Sequence, residues 1–400
     1  MKAVILAAGE GTRMHPLTHT RPKVMLPIAN RPILEHLLIE GIKAEIENFI
    51  FVIGYHGETV RHYFGDGARW GVKIEYATQR EQLGTAHALM MVQGLLDGTF
   101  LLLNGDVLVK GSDITRVLAM DGLALSVIEV ASAENLGVVR VVEDRVVAIY
   151  EKVEKPPTNL VNAGLYLLTE DIFDALSRTN RSPRGEYEIT DSLGLMIEDG
   201  HAITCERLNY WLDLSYPWDL LEANESLLGE MEPENLGEVE EHVVIRDPVS
   251  IGKGTLIRAN SYIQGPVVIG ENCQVGPNCY IRPATAIGDE CHIGSAVEVK
   301  NSIIMRGTKI PHHNYIGDSV IGEGCNFGAG TKIANFRFDE KEIIVGNIDT
   351  GRRKLGAIIG DGVETGINAS INVGSLIGNG TWIGPGAVVG GIVLPNSRLF

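Results

Sequence analysis

The chain has 400 residues, 44% hydrophobic and 21% charged, with a net charge of −17. That length exceeds one compact core, so two or more domains are expected. The acidity, with no Lys/Arg run longer than Arg352-Arg353-Lys354, argues against a nucleic-acid binder with a basic face, and no apolar run is long enough to span a membrane.

The first residues hold an apolar stretch too short for a signal peptide, so a cytoplasmic protein is expected. Five cysteines without a CxxC pair argue against a disulfide framework or a zinc site. Ala3–Ala8, Asn48–Ile53, Val72–Ala77 and Phe100–Leu103 read as strands. Ile33–Lys43, Glu58–Phe64 and Thr85–Leu96 read as helices. This βαβα order predicts a mostly parallel, Rossmann-like α/β sheet with ligands beyond its carboxyl edge, where Gly9 and Asp106 fall.

Residues 229–242 hold six glutamates and no Lys or Arg, which reads as a solvated linker. Predicted domains are therefore 1–228, an acidic linker 229–244, and 245–400. From Ile245 to Val299 an aliphatic residue recurs every sixth position, Met305 continues the register, and after one slip the series resumes at Ile316. A non-repeating stretch covers about 336–355, and the repeat returns at Ile359. A six-residue period fits a triangular parallel β-helix, with the aliphatic inward and the glycine that often follows it turning the corner. Four of the five cysteines occupy a small-residue slot four positions after the aliphatic, so they are expected to pack inward.

Two segments carry chemistry. Leu6-Ala7-Ala8-Gly9-Glu10-Gly11-Thr12-Arg13-Met14 follows the first strand, with Pro22-Lys23 and Met25-Leu26-Pro27-Ile28 beyond it. Gly9 and Gly11 let backbone N–H groups approach phosphate, and Arg13 and Lys23 supply positive charge. The spacing is neither a Walker A loop nor GxGxxG. The second segment, Lys309-Ile310-Pro311-His312-His313-Asn314-Tyr315-Ile316-Gly317-Asp318, interrupts the repeat with adjacent histidines. Histidine is suited to general-base work near neutral pH, and the residues alone leave His312 and His313 both open as candidates.

The string LAAGEGTRM…PLT…RPKVMLPI resembles the signature of the sugar-phosphate nucleotidyltransferase family, which joins a nucleoside triphosphate to a sugar 1-phosphate and releases pyrophosphate. The resemblance implies catalytic roles for Arg13 and Lys23, and nucleotide binding by Leu6, Ala8, Gly9, Gly11, Thr12, Gln79, Gly84 and Thr85. It further implies sugar binding by Gly137, Glu151, Lys152 and Asn162, and Mg²⁺ ligation by Asp106 and Asp213. The C-terminal half is similar to the left-handed β-helix of the archaeal-type bifunctional N-acetylglucosamine-1-phosphate uridylyltransferase/glucosamine-1-phosphate N-acetyltransferases. That similarity implies His312 as base, acceptor binding by Arg282, Lys300, Tyr315, Asn326, Asn335 and Lys341, and acetyl-CoA contacts from Arg352, Arg353 and Lys354. It also implies a homotrimer, with UTP or dTTP, sugar 1-phosphates and acetyl-CoA as small-molecule partners. The alternatives are a single-activity glucose-1-phosphate uridylyl- or thymidylyltransferase with a structural β-helix, and a non-enzymatic scaffold. The His312/Tyr315/Asn335/Lys341 set disfavours the first, and Arg13, Lys23 and Asp106 disfavour the second.

Overall fold

A computed structural model describes residues 1–134, 136–151 and 155–400. The chain divides into two compact units: Met1–Glu10, Arg21–Met25 and Ile33–Asp213 form one, and Gly11–Thr20, Leu26–Pro32 and Leu214–Phe400 the other.

The first unit is built on a nine-stranded sheet. Its order is Lys73–Thr78, Asn48–Ile53, Lys2–Ala7, Phe100–Asn104, Leu160–Leu168, Leu123–Glu129, Ile203–Arg207, Arg145–Tyr150, Val138–Val142. The first four strands run parallel, as the βαβα alternation predicts. Leu160–Leu168 then enters antiparallel against both Phe100–Asn104 and Leu123–Glu129, so the sheet as a whole is mixed. Val4, Ile50, Val52 and Leu102 pack into one core, while Ala3, Ile5, Phe49, Phe51, Leu101 and Leu103 pack into another. Covering both faces explains why these strands read as unbroken apolar runs. The predicted helix over 85–96 stops at Met90, followed by a separate 3-10 turn at Gln93–Leu95. The break comes where Met91 and Val92 N–H groups bond three residues back instead of four, just ahead of Gly94.

The second unit is a parallel β-helix of three sheets with nine, eight and eight strands. Ladder partners such as Ile251 and Ile269 lie one 18-residue coil apart, and the aliphatics line a continuous interior. The register shift differs from the sequence reading in place. Ile304, not Met305, points into the core, and Ile304 pairs with Ile287 in a coil of 17 residues. The inserted stretch forms an arm, with a short hairpin of Ile344–Val345 and Ile348–Asp349 and a bridge between Phe336 and Lys354. The acidic stretch contributes one short strand, Glu238–Val239, that pairs with Leu256–Ile257, and Val244–Arg246 at its end pairs with Tyr262–Gln264. Backbone pairing places Glu238 on the ladder while its side chain stays exposed.

The repeat's glycines have a different job from the one expected. Left-handed backbone falls three residues after the aliphatic, at Gly254, Asn260, Asn272 and Asn278, and directly after it at Gly276, with φ 102°. The glycine directly after the aliphatic sits where successive coils come closest. A Cβ on Gly252 would lie 2.7 Å from Glu271 N, and one on Gly288 would lie 2.8 Å from Arg306 N. Cys273, Cys279, Cys291 and Cys325 are buried inside the coil. Burial pushes the first two thiols up to about 11 and the last two up to about 12, so all four stay protonated and inert near neutral pH.

Candidate functional site

In the first unit the carboxyl ends of the parallel strands converge. Gly105 N donates to Leu6 O at 2.9 Å, and Tyr55 N to Ala8 O at 3.2 Å. Gly54 lies so close that a Cβ there would be 2.7 Å from Ala8 O and 2.9 Å from Gln79 O. Gln79 is buried, and its Nε2 lies 3.0 Å from both Gly84 O and His87 Nδ1. Gly84 has φ 108°, pressed against Tyr187, and Thr85 Oγ1 accepts from Ile189 N at 3.0 Å. Gln79, Gly84 and Thr85 are thus brought together, and Tyr187–Ile189, which the sequence did not flag, hold them.

Lys23 is 7% exposed, and its Nζ donates to Asp106 Oδ2 at 2.9 Å. Asp213 ends the strand Trp211–Asp213, which pairs antiparallel with Val107–Val109; Asp213 stands opposite Val107, next in sequence to Asp106. The backbone pairing therefore places Asp106 and Asp213 at the same end of this two-stranded ribbon. Asn104, two residues before Asp106, has a buried Oδ1 without a hydrogen-bond partner among the described residues. A buried acceptor left open is expected where a ligand supplies the donor.

The expected sugar-binding residues also gather. Asn162 N donates to Gly137 O at 2.8 Å, and a Cβ on Gly137 would lie 3.1 Å from Glu151 Oε2. Arg184, absent from the sequence reading, bonds Glu151 at 3.0 Å and Glu188 at 2.6 Å. Thr190 donates to Glu151 at 3.2 Å. Lys152 lies outside the described residues.

Gly11, Thr12 and Arg13 group with the second unit. Gly11 has φ 71° ahead of the 3-10 turn Thr12–Met14, a conformation that disfavours any side chain. Thr18 Oγ1 donates to Gly11 O at 2.9 Å, and the Arg13 guanidinium lies 5.4 Å from the centre of the Tyr216 ring.

On the β-helix, Asp318 is the hub that sequence reading missed. It is 2% exposed with φ 49°. It accepts from Lys300 Nζ at 3.1 Å, Asn301 Nδ2 at 2.8 Å and Asn335 Nδ2. Asn335 Nδ2 also reaches the Tyr315 hydroxyl at 3.2 Å. Burial, then the Asp318 charge, raises the Tyr315 hydroxyl above its ordinary range, so it stays a donor. Lys300, Tyr315 and Asn335 are thereby joined. Arg282 bonds Glu298 at 2.8 Å, and Glu298 is Tyr315's ladder neighbour.

His312 is exposed at the end of Lys309–His312, opposite Ser295, and its carbonyl accepts from Gly330 N at 3.0 Å. His313 occupies the left-handed corner, φ 52°, with its N–H on Ser295 O and its carbonyl taken by Lys332 Nζ. A third histidine, His292, is held below its ordinary value by burial and then by the nearby His312 charge. Asn326 is exposed, in the ladder between Lys309 and Glu364. In the arm, Arg353 pairs with Glu340 at 2.9 Å, Lys354 Nζ lies 6.0 Å from the Phe336 ring centre, and Lys341 N donates to Asp339. Arg352 has a buried Nε with no hydrogen-bond partner among the described residues.

Comparison with known proteins bears on both units. The nucleotidyl transferase family model matches residues 2–230. The chain belongs to the nucleotidyl transferase family. A model of the GMPPB C-terminal domain matches residues 263–399. The bifunctional protein GlmU of Methanococcus maripaludis is 44% identical over 97% of this chain and 94% of its own length. A bifunctional sugar-1-phosphate nucleotidylyltransferase/acetyltransferase of Sulfurisphaera tokodaii is 40% identical over 97% of each chain. A crystal structure of UDP-glucose pyrophosphorylase with UDP-glucose superposes with a TM-score of 0.53 at 26% identity, covering 57% of this chain and 99% of that one. Full-length similarity at this level makes the chain a bifunctional GlmU-type enzyme, combining nucleotidyltransferase and acetyltransferase parts.

Proposed function

We propose that the chain makes UDP-N-acetylglucosamine from glucosamine 1-phosphate in two steps. The β-helix part acetylates the amine with acetyl-CoA, and the α/β part transfers uridylyl from UTP to the N-acetylated sugar phosphate. The single observation that carries this reading is the end-to-end similarity to bifunctional relatives. The Lys300–Asp318–Asn335–Tyr315 network, whose Tyr315 follows His312 by three residues, supports the acetyl-transfer half. In the first step His312 takes the proton of the sugar ammonium and the freed amine attacks the thioester carbonyl. The C–S bond then breaks, and coenzyme A leaves as its thiol after taking a proton. Lys300 and Arg282 bind the sugar phosphate, with Tyr315, Asn326, Asn335 and Lys341 around the sugar. Arg352, Arg353 and Lys354 meet the coenzyme A phosphates.

In the second step an oxygen of the sugar phosphate, already ionised, attacks the α-phosphorus of UTP, and the bond to the pyrophosphate oxygen breaks. No general base is needed, so the work is alignment and neutralisation of charge. Leu6, Ala8, Gly9, Gly11, Thr12, Gln79, Gly84 and Thr85 hold the nucleotide. Gly137, Glu151, Lys152 and Asn162 hold the sugar, and Arg13 and Lys23 meet the phosphates. Asp106 and Asp213 give an all-oxygen pair of the kind that holds Mg²⁺ together with substrate phosphates. Bound there, the ion supplies positive charge to the phosphoryl oxygens.

A split assay tests the reading. Purified protein is expected to release pyrophosphate from UTP and N-acetylglucosamine 1-phosphate, and coenzyme A thiol from acetyl-CoA and glucosamine 1-phosphate. Chelation by EDTA should stop the first reaction and spare the second. Absence of thiol release would leave only a single-activity nucleotidyltransferase. UTP is the proposed donor, and dTTP in parallel is the comparison.

We further place the enzyme in the cytoplasm as a homotrimer. No helix among the described residues is long and apolar enough to cross a membrane. The arm exposes Phe336, Phe338 and Ile344, apolar surface that a neighbouring copy would cover. Sedimentation equilibrium is expected to give a mass near three chains; a monomer mass would refute this.

A further inference from the structure

The strand carrying Asp213 is short. Trp211–Asp213 and Val107–Val109 pair over only three residues, in a two-stranded sheet separate from the main one. Such a ribbon has little stability of its own, so something else must fix the carboxylate at its end. The helix Gly111–Leu118, five residues after Asp106, reaches the residues that lead into that strand. Asp113 in its first turn is completely buried. Its carboxylate reaches 96 residues along the chain, where Asn209 N donates to it at 3.2 Å and Tyr210 N at 3.0 Å. These are the two residues immediately before Trp211–Asp213.

The rest of the helix start acts on the same segment. Arg116 bonds Asp113 at 2.8 Å and Glu206 at 2.7 Å, and donates to Arg207 O. Lys110 Nζ lies 4.5 Å from the Tyr210 ring centre. Trp211 Nε1 donates to Ala163 O at 3.0 Å, tying the same strand to the residue after Asn162. The helix is itself anchored, because Gly111 N donates to Glu40 Oε2 at 2.6 Å. A buried carboxylate is costly unless matched by donors, and this one is matched by the Arg116 guanidinium and by the two backbone N–H groups that lead to Asp213.

We propose that Asp113 is a positioning residue for the metal carboxylates: it fixes the backbone of 209–210, and through it Asp213, relative to Asp106. The inference rests on the reading of Asp106 and Asp213 as the Mg²⁺ pair. Hydrogen-bonded supports of metal ligands typically carry about a tenfold effect or more on affinity.

The test uses the full chain with UTP, and Mn²⁺ as a spin probe whose free fraction is read by electron paramagnetic resonance. Asp113→Asn is expected to weaken Mn²⁺ binding about tenfold, and to raise the Mg²⁺ concentration for half-maximal pyrophosphate release in parallel. Thiol release from acetyl-CoA should be unchanged, and Asp113→Glu should recover part of the affinity. Arg116→Gln, at a partly exposed side chain, loosens the same carboxylate and should shift affinity in the same direction, which keeps the question open to measurement even where Asp113→Asn unfolds. Folded variants with a lower melting temperature and unchanged Mn²⁺ affinity would assign Asp113 a purely structural role and overturn the proposal. Asp213→Asn separates the two levels. If it leaves Mn²⁺ binding intact, the metal reading fails; if it weakens binding while the Asp113 and Arg116 variants do not, only the positioning role fails.

Discussion

Lys23→Ala is expected to lower the turnover number for pyrophosphate release by about 10²–10³-fold, the usual consequence of removing one preorganised positive contact from a developing anionic centre. The residue is buried, its amine lies 2.9 Å from Asp106, and the molecule around it carries a net charge of −17. A cation in that setting offsets a field that otherwise repels triphosphate and sugar phosphate alike. Its position also matters: the ion pair with Asp106 holds the amine at the strand end before substrate arrives, so little reorganisation is left for the reaction. Lys23→Arg should recover only part of the rate, because a planar fork does not replace a compact ammonium group in a closed site. Steady-state kinetics with both substrates varied, alongside thiol release as an internal control, check this. A variant with raised KM and unchanged kcat would mean that Lys23 holds the ground state and does not act on the transferring phosphoryl group.

What sequence made legible here is what is local or periodic. The six-residue period is a property of neighbouring positions, so the β-helix and its interruption by the arm could be read directly. The parallel strands at 2–7, 48–53, 73–78 and 100–104 followed from apolar runs alternating with helices. The period could not distinguish Ile304 from Met305, since both are apolar and both are buried; only the ladder to Ile287 decides. Glycine's role was misassigned for a related reason. A close approach between coils 18 residues apart leaves the same mark in sequence as a turn. The supports of the sites were invisible because they act at long range. Asp113 meets Asn209, Arg184 meets Glu151, and Tyr187 meets Leu83 and Ala86 across separations that no motif spans. Asp318 gave no local signal, because the same aliphatic-glycine-acid triplet recurs at Ile269-Gly270-Glu271, Ile287-Gly288-Asp289 and Ile321-Gly322-Glu323, where the acid is exposed. Its three donors come from other coils, so its part in joining Lys300 to Asn335 appears only in the fold.

His312→Ala is expected to reduce thiol release from acetyl-CoA and glucosamine 1-phosphate by about 10²–10⁴-fold, the range for loss of a positioned general base. Pyrophosphate release from UTP and N-acetylglucosamine 1-phosphate should be unaffected. The two adjacent histidines are not equivalent. His313 occupies the left-handed corner, its N–H bonded to Ser295 O and its carbonyl to Lys332, so its backbone serves the turn. His312 ends the strand opposite Ser295 with an exposed side chain, three residues before the Tyr315 that Asn335 and Asp318 surround. His313→Asn keeps a residue that tolerates positive φ, so it should leave the rate within about threefold, because Asn, like Gly, accepts that backbone. His313→Val should instead strain the corner and lower the melting temperature. If His313→Asn, and not His312→Ala, abolished thiol release, the base assignment would move by one residue while the rest of the acceptor network stood.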